Sequence, residues 1–530
     1  VGPDLVAALT GARRASALLL VALVTAACSA PATPPARTLS DEPPPLAAAM
    51  PLPDNAVDNA VAKLDGLISD LMMSSGIPGM AVAVVHGGKT LYAKGFGVRE
   101  AGKPERVDAD TVFQLASLSK PIAATVVAHQ VGARAVSGWD TPIQAHLPWF
   151  ALSDPDVSRM LTVADLFAHR SGLSDHAGDL LEDLGYSRRE VLARLRYLPL
   201  ASFRTSYAYT NFGVTAAAEA VAAAAGRPWE DLSDEVIYRP LGMASTSSRF
   251  SDYQGRPNKA VGHVRVDGRY QALYTRDADA QSPAGGVSAS VNDMTHWLAM
   301  MLAGGTYEGA TVVEPTALLP ALTPQMVSNP PSQPDMRSGF YGYGFNIGTS
   351  AAARMQFSHS GAFDLGAATN FVMIPAADVA IVALTNAAPI GVPETLTAEF
   401  ADLVQFGQVR QDWRTLYAHA FEEMDRPFGE LAGKPAPATS PPPRPPQSYV
   451  GTYANDYWGP AVVTDTGGTL TLTLGPKGQA FPLKHWDGEM FTFDVTSENA
   501  PAGSVSAATF AGDRLVLEYF NQDRMGTFTR

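Results

Sequence analysis

The sequence predicts a mixed α/β fold of the α+β kind. One antiparallel sheet is built from the two ends of region 55–405, with a helical subdomain inserted between them. A small antiparallel β-barrel module is expected to follow at 447–530. Three observations predict this arrangement. Two short apolar or alternating runs, Met80–Val85 and Thr90–Val98, open the region. Four more close it: Phe340–Ile347, Arg354–Ser358, Ala367–Ile374 and Val379–Thr385. Between them lies a long Ala-rich stretch with helical patterning, including Pro121–Gly132 and Val214–Ala225. Strands gathered at both ends with helices between them do not give the alternating βαβ order of a parallel sheet.

Composition supports a packed chain. Of 530 residues, 46% are hydrophobic and 17% charged, enough for one large core and a smaller module at about 100–200 residues per domain. Disorder requires the opposite balance. With 46 Gly, 41 Pro and one Cys, collagen-like and disulfide-scaffold classes are excluded. Lys and Arg total 38 against 52 Asp and Glu, a net charge of −14. Nucleic acid is therefore not an expected partner, because binding it rests on neutralising phosphates.

The elements follow in order. Arg13 and Arg14 precede an apolar run, Ala15–Ala27, broken only by Ser16 and Thr25. As a helix it rises about 20 Å, short of the roughly 30 Å hydrocarbon core, so residues 1–28 read as a signal peptide rather than a span. Cys28 follows Thr25-Ala26-Ala27, which resembles the lipobox of bacterial lipoproteins, with Thr25 where Leu is usual. Two outcomes are open: lipidation of Cys28, or ordinary cleavage near Ala30 that discards it. Residues 29–54 are rich in Pro and Ala and read as a semi-extended tether. A helical pattern at Val61–Met73 leads into the first two strands, which His86-Gly87-Gly88-Lys89 joins as a hairpin turn. Region 406–446 reads as a helix and a linker ending in the Pro-rich run Lys434–Pro446. The barrel expectation for the tail rests on the runs Tyr449–Tyr453, Ala461–Thr464, Thr469–Leu474, Met490–Val495 and Leu515–Phe520, punctuated by Gly, Asp and Asn.

Three short motifs could carry chemistry. A hydroxyl nucleophile needs a base within reach, and helix positions three apart share a face. Ser117-Leu118-Ser119-Lys120 meets that requirement, with Pro121 and an Ala-rich helix directly after it. Lysine serves as a base only once burial or a nearby cation lowers its pKa. A Tyr-x-Asn can supply an orienting phenol and amide. Tyr209-Thr210-Asn211 stands just ahead of a helix, whereas Tyr453-Ala454-Asn455 opens the β tail and reads as a strand-end turn. Tyr207 is read as packing. The third motif is His359-Ser360-Gly361, in the strand-like run Arg354–Phe363; the His-x-Gly at His86 belongs to the hairpin. His169 and His176 lack the spacing of a helical metal pair and no His-Glu-x-x-His occurs, so no metal site and no cofactor are expected. No Gly-x-Ser-x-Gly occurs, which argues against an α/β-hydrolase; Gly286-Val287-Ser288-Ala289-Ser290 comes closest.

In this order the three motifs resemble the signature of the class C serine β-lactamases and their penicillin-binding relatives, the S12-type peptidases. Leu166-Phe167-Ala168-His169-Arg170-Ser171-Gly172-Leu173 and Ser282-Pro283-Ala284-Gly285-Gly286-Val287 resemble two further segments of that family, so the likeness spans roughly residues 60–400. The resemblance implies a serine β-lactamase/penicillin-binding-like fold and an acyl-enzyme mechanism. Ser117 would attack, Lys120 and Tyr209 would share the general-base work, and Asn211 would orient Lys120 and bond to the substrate amide. The backbone N–H groups of Ser117 and Ala362 would form the oxyanion hole. His359, where class C lactamases carry Lys, would contact the substrate as a partly charged donor, with Gly361 beside it.

The expected function is an exported serine hydrolase acting on peptide, amide or ester bonds, with at most weak β-lactamase activity. DD-carboxypeptidase, aminopeptidase and esterase activities all suit the pattern, peptidoglycan stem peptides being among the expected substrates. The competing expectation is a non-catalytic, penicillin-binding-like receptor or scaffold of the cell wall. The expected location is the periplasm of a bacterium. Membrane contact there is expected only through a lipid anchor on Cys28 in the outer membrane.

Overall fold

A computed structural model describes residues 50–424 and 426–530. The expectations for the signal peptide, for Cys28 and for most of the tether fall outside these residues.

The dominant element is an eight-stranded antiparallel sheet. Its strands are β1 (Gly79–His86), β2 (Lys89–Gly97), β3 (Met326–Asn329), β4 (Gly339–Tyr341), β5 (Asn346–Thr349), β6 (Met355–Phe363), β7 (Ala367–Ile374) and β8 (Val379–Thr385). They lie in the order β2-β1-β8-β7-β6-β5-β4-β3. Strands from both ends of the region thus meet inside the sheet, at its second and third positions, where Met80 pairs with Thr385 and His86 with Val379. β1 reads Gly-Met-Ala-Val-Ala-Val-Val-His, and both of its faces are covered. Met80, Val82 and Val84 pack with Ile68, Leu71, Leu396 and Phe400 on one side. Ala81, Ala83 and Val85 share the other core with Met294, Trp297 and Leu298. A strand covered twice needs a continuous apolar run rather than alternation. The β1–β2 turn is Gly87-Gly88, with φ of 61° and 69°, the left-handed pair that a two-residue hairpin requires.

Helix α1 (Leu64–Ser75) covers one face of the sheet together with α5 (Val392–Phe406). The expected single helix from Val61 is instead two, Ala56–Val61 and Leu64–Ser75, interrupted at Ala62-Lys63. The inserted subdomain contains α2 (Ser119–Gly132) and α3 (Asn211–Ala225), with α4 (Val291–Leu302) leading back toward the sheet. α2 and α3 are apolar nearly all round, which marks helices buried inside a domain. The run Phe340–Ile347, expected as one strand, folds as the hairpin β4–β5. Gly342-Tyr343-Gly344-Phe345 turns the chain, and Gly342 N–H donates to the Phe345 carbonyl at 2.8 Å.

After α6 (Trp413–Glu422), the C-terminal module holds nine strands. β9 (Gly451–Tyr453), β10 (Ala461–Thr466), β11 (Thr469–Leu474) and β12 (Gln479–Pro482) form one sheet. β13 (Lys484–Asp487), β14 (Met490–Ser497), β15 (Ala500–Ala511), β16 (Arg514–Leu517) and β17 (Thr527–Thr529) form another. The expectation of a closed barrel is therefore corrected to two separate sheets. The chain changes sheet at Pro482-Leu483, where proline has no N–H to donate, and a strand that switches sheets makes a corner instead of closing a ring. Tyr453, Leu472, Phe491, Phe510 and Phe528 fill the space between.

Candidate active site

Ser117 sits on a single 3-10 turn, Ala116–Leu118, that runs straight into α2. The residue before it, Ala116, is fully buried with φ 46°, a left-handed conformation that costs free energy and concentrates at functional sites. Gly361 on β6 explains how the strand approaches this turn. A Cβ there would lie 2.2 Å from the Leu115 carbonyl oxygen, 2.3 Å from Thr369 Oγ1 and 3.0 Å from Ser117 N. Only glycine lets the two backbones come this close.

Lys120, one turn beyond Ser117, is completely buried. Its Nζ donates to Ser117 Oγ at 3.0 Å, to Asn211 Oδ1 at 2.6 Å and to the Ala284 carbonyl at 3.0 Å. Burial lowers its pKa from the ordinary lysine value to about 7, against the opposing pull of Asp179. On the other side of Ser117, the Tyr209 hydroxyl donates to Oγ at 2.8 Å. Lys120 Nζ lies 4.4 Å from the Tyr209 ring centre. Burial pushes the Tyr209 phenol well above its ordinary pKa although the Ser117 bond works the other way, so Tyr209 keeps its proton.

Asn211 opens α3 and has both ends of its amide engaged. Its oxygen accepts from Lys120, and its nitrogen donates to Asp179 Oδ2 at 2.7 Å. Those two partners fix which way the amide points. The buried Asp179 also accepts from His176 Nδ1 at 2.8 Å, at the mouth of the cleft. No motif in the sequence marks Asp179 or His176 as a site residue. Their spacing of three, just after the Ser171-Gly172-Leu173 segment, is the signal available for them.

His359 lies on β6 and is buried. Nδ1 contacts the Ser360 carbonyl at 2.6 Å, so that nitrogen carries the hydrogen; Nε2 accepts from the Tyr341 hydroxyl at 2.8 Å. Burial and the neighbouring Lys120 hold its pKa at about 3. This corrects the expectation of a partly charged imidazole: His359 is neutral. The physical reason is desolvation beside a second base. His169, in a left-handed turn at φ 55°, accepts from Thr210 N–H at 3.1 Å. Its ring lies 4.5 Å from Tyr209 and 4.8 Å from Tyr341, so it braces the two phenols. Tyr341, which no local motif marks, links His359 to this stack. Tyr207 also stands in it, 5.7 Å from the His169 and Tyr341 ring centres. The second Tyr-x-Asn lies in the C-terminal module, where Asn455 donates to the Met525 and Thr527 carbonyls.

Ser117, Tyr209, Asn211, His359 and Ala362 all line one cavity of about 1060 Å³. Among the described residues, β6 pairs with β5 only as far as Ser358, and His359, Ser360, Ala362 and Phe363 beyond it line the cavity. The opposite wall comes from the C-terminal module and its linker, through Glu498, Asn499 and Phe428 among others. A hydroxyl set between a desolvated amine and a phenol, below an uncovered strand edge, is arranged for attack on an acyl carbon.

Residues 64–406 match the Beta-lactamase family model, and residues 435–515 match a domain of unknown function, DUF3471. The chain is 25% identical over 513 residues to "Unguisins hydrolase ungD" of Aspergillus violaceofuscus, covering 86% of this chain and 87% of the relative. It is 32% identical over 203 residues to "Esterase EstB" of Burkholderia gladioli, covering 34% of this chain and 50% of the relative. Among solved structures, the octameric penicillin-binding protein homologue from Pyrococcus abyssi aligns with a TM-score of 0.58 at 17% identity. That alignment covers 86% of this chain and 98% of the other, a likeness of fold. Family model, fold and the convergence of the three motifs on one cavity agree: the chain belongs to the Beta-lactamase family and is a serine hydrolase.

Proposed function

We propose that the chain is an exported hydrolase that opens peptide, amide or ester bonds through an acyl-enzyme on Ser117, with at most weak activity on β-lactams. The observation that carries this reading is the position of Ser117 Oγ, 3.0 Å from Lys120 Nζ and 2.8 Å from the Tyr209 hydroxyl. Near pH 7 a large fraction of Lys120 is unprotonated. It takes the Ser117 proton as Oγ attacks the substrate carbonyl. The oxyanion is held by the N–H groups of Ser117 and Ala362, a contribution often worth about 10²–10³-fold in rate. As the bond to the leaving amine or alcohol breaks, Tyr209 gives up its proton to that group and is reprotonated from Lys120. Water then enters, loses a proton to the same pair and releases the acid, restoring Ser117.

The substrate class follows from charge. A neutral His359 offers no cation to a substrate carboxylate at the position where class C lactamases have lysine. Neutral esters and amides are therefore favoured over cephalosporins and over stem peptides with a free terminal carboxylate. Export, with an outer-membrane lipid anchor on Cys28, rests on the sequence of residues 1–28. A panel of p-nitrophenyl esters, D-amino-acid amides, D-Ala-D-Ala peptides and nitrocefin tests the reading. Ser117-dependent turnover of the esters or amides, exceeding that of nitrocefin, is the expected result. A stoichiometric burst without turnover on every substrate would overturn it in favour of a receptor.

A further inference from the structure

The C-terminal module reaches the catalytic strand through one tight turn. Glu498 and Asn499 join β14 to β15, with Ser497 paired to Ala500 across the turn. The Glu498 side chain is 11% exposed. One of its carboxylate oxygens accepts from Asp364 N–H at 3.0 Å; the other accepts from Leu365 N–H at 3.3 Å and lies 3.7 Å from Arg276 Nε. Asp364 and Leu365 form the turn between β6 and β7, directly after Phe363. Ala362, one residue further back, faces the cavity. Arg276 is held in turn by Glu182 at 2.6 Å, and Asn499 donates to Asp183 at 2.9 Å. Both acidic partners belong to the catalytic domain.

We infer that Glu498 is a positioning residue of the active site, supplied by the C-terminal module: it pins the β6–β7 turn and so fixes the strand that presents Ala362 to the oxyanion. The inference rests on the hydrolase reading above and assigns a task to the module. Among the described residues β6 pairs with β7 as far as Phe363 but with β5 only as far as Ser358, so its cavity half has a ladder on one edge alone. Glu498 supplies two acceptors at its far end instead. Burial pushes the Glu498 carboxyl well above the usual carboxylate range, with Arg276 and the Asp364 N–H pulling the other way. The anchor is therefore its geometry, two oxygens facing two successive N–H groups of the turn. The module has other contacts with the catalytic domain that do not touch β6. Arg194 donates to the Asp456 and Tyr457 carbonyls at 2.7 and 2.9 Å, and these allow docking to be separated from positioning.

The experiment uses the full chain and three variants, Glu498→Ala, Glu498→Gln and Arg194→Met, each checked for a native melting transition. Two rates are read: phosphonylation of Ser117 by a fluorophosphonate, and kcat and KM on a p-nitrophenyl ester per titrated site. Glu498→Ala should slow phosphonylation and lower kcat by about tenfold or more, with KM little changed, because an oxyanion donor acts in the transition state. Glu498→Gln keeps an acceptor oxygen and should recover part of both rates. Arg194→Met should lower the melting temperature and leave both rates intact. Equal rates in wild type and Glu498→Ala would overturn the inference, as would equal losses in Glu498→Ala and Arg194→Met. A wild type that is phosphonylated yet does not turn over would count against the hydrolase reading alone, and the phosphonylation rates would still decide the role of Glu498.

Discussion

Lys120 Nζ lies 3.0 Å from Ser117 Oγ with no part of the lysine open to solvent. Three acceptors surround the amine, and none is a carboxylate: a serine hydroxyl, an asparagine oxygen and a backbone carbonyl. Asp179, the carboxylate that opposes the shift, is held one residue away behind the Asn211 amide. A direct ion pair would keep the lysine charged and useless as a base. The amide passes on orientation without the full charge.

That arrangement predicts the pH dependence. Lys120 titrates near 7 instead of its ordinary value of 10.5, so its neutral, active fraction grows as pH rises through 7. The acid limb of kcat/KM should have its midpoint there, while His359, at about 3, adds no limb above pH 5. A pH–rate profile on a neutral ester checks this, and a midpoint above 9 would show a solvated lysine. Linkage has the same sign. Between about 7 and 10.5 the unfolded chain holds a proton that the folded one has shed, so this group makes stability rise with pH across that window.

Tyr209 and Tyr207 differ in what their hydroxyls meet. Tyr209 bonds to Ser117 Oγ, whereas Tyr207 contributes ring contacts to His169 and Tyr341. Tyr209→Phe should lower kcat by about 10²-fold or more, in the range of general acid–base catalysis, with the fold retained. Tyr207→Phe should cost far less. Steady-state kinetics on both variants decide the matter, and equal losses would remove the proton-transfer role from Tyr209.

Gly361→Ala tests the backbone approach. The new Cβ would meet the Leu115 carbonyl at 2.2 Å, and a carbonyl cannot swing aside as a flexible side chain can. Overpacking of this kind typically costs about 1–3 kcal/mol. Here it also pushes β6 away from Ser117. Both the melting temperature and kcat should fall. Loss of stability with full kcat would show that the strand has slack at this point.

How much of this was legible in the sequence follows from distance along the chain. Ser117 and Lys120 are one helical turn apart, and Tyr209 and Asn211 are neighbours, so short spacing made each pair readable. Asp179, Tyr341 and Glu498 join the site from three separate elements, and nothing local to any of them points to Ser117. Burial decided the charge of His359, which the motif by itself left open. In the tail, β15 reads Ala-Pro-Ala-Gly-Ser-Val-Ser-Ala-Ala-Thr-Phe-Ala. Its small residues carry little strand propensity, and packing against β14 and β16 makes the strand. Two sheets in place of a barrel depend on where the chain turns its corner at Pro482, a tertiary choice that periodicity does not encode.

His359→Lys tests what sets the substrate class. The imidazole is neutral, buried, and held by Tyr341 on one nitrogen and the Ser360 carbonyl on the other. It therefore provides shape and a fixed network instead of a positive charge. Lysine at this position brings an ammonium into the cavity beside β6, where a substrate carboxylate would lie. The ratio of kcat/KM for a cephalosporin to that for a neutral ester should rise by roughly 5- to 150-fold, corresponding to about 1–3 kcal/mol for a charged hydrogen bond gained. The absolute ester rate should fall at the same time, because Tyr341 loses its acceptor and a second cation now stands near Lys120. That cation should also depress the Lys120 pKa further, moving the acid limb of the profile below 7. If His359 only braces the strand, both substrates should suffer alike and the ratio should stay fixed. An unchanged ratio in a folded His359→Lys protein would reject charge at this position as the determinant of substrate class. The roles of Ser117, Lys120 and Tyr209 would still stand, since their hydrogen bonds to one another do not pass through the imidazole.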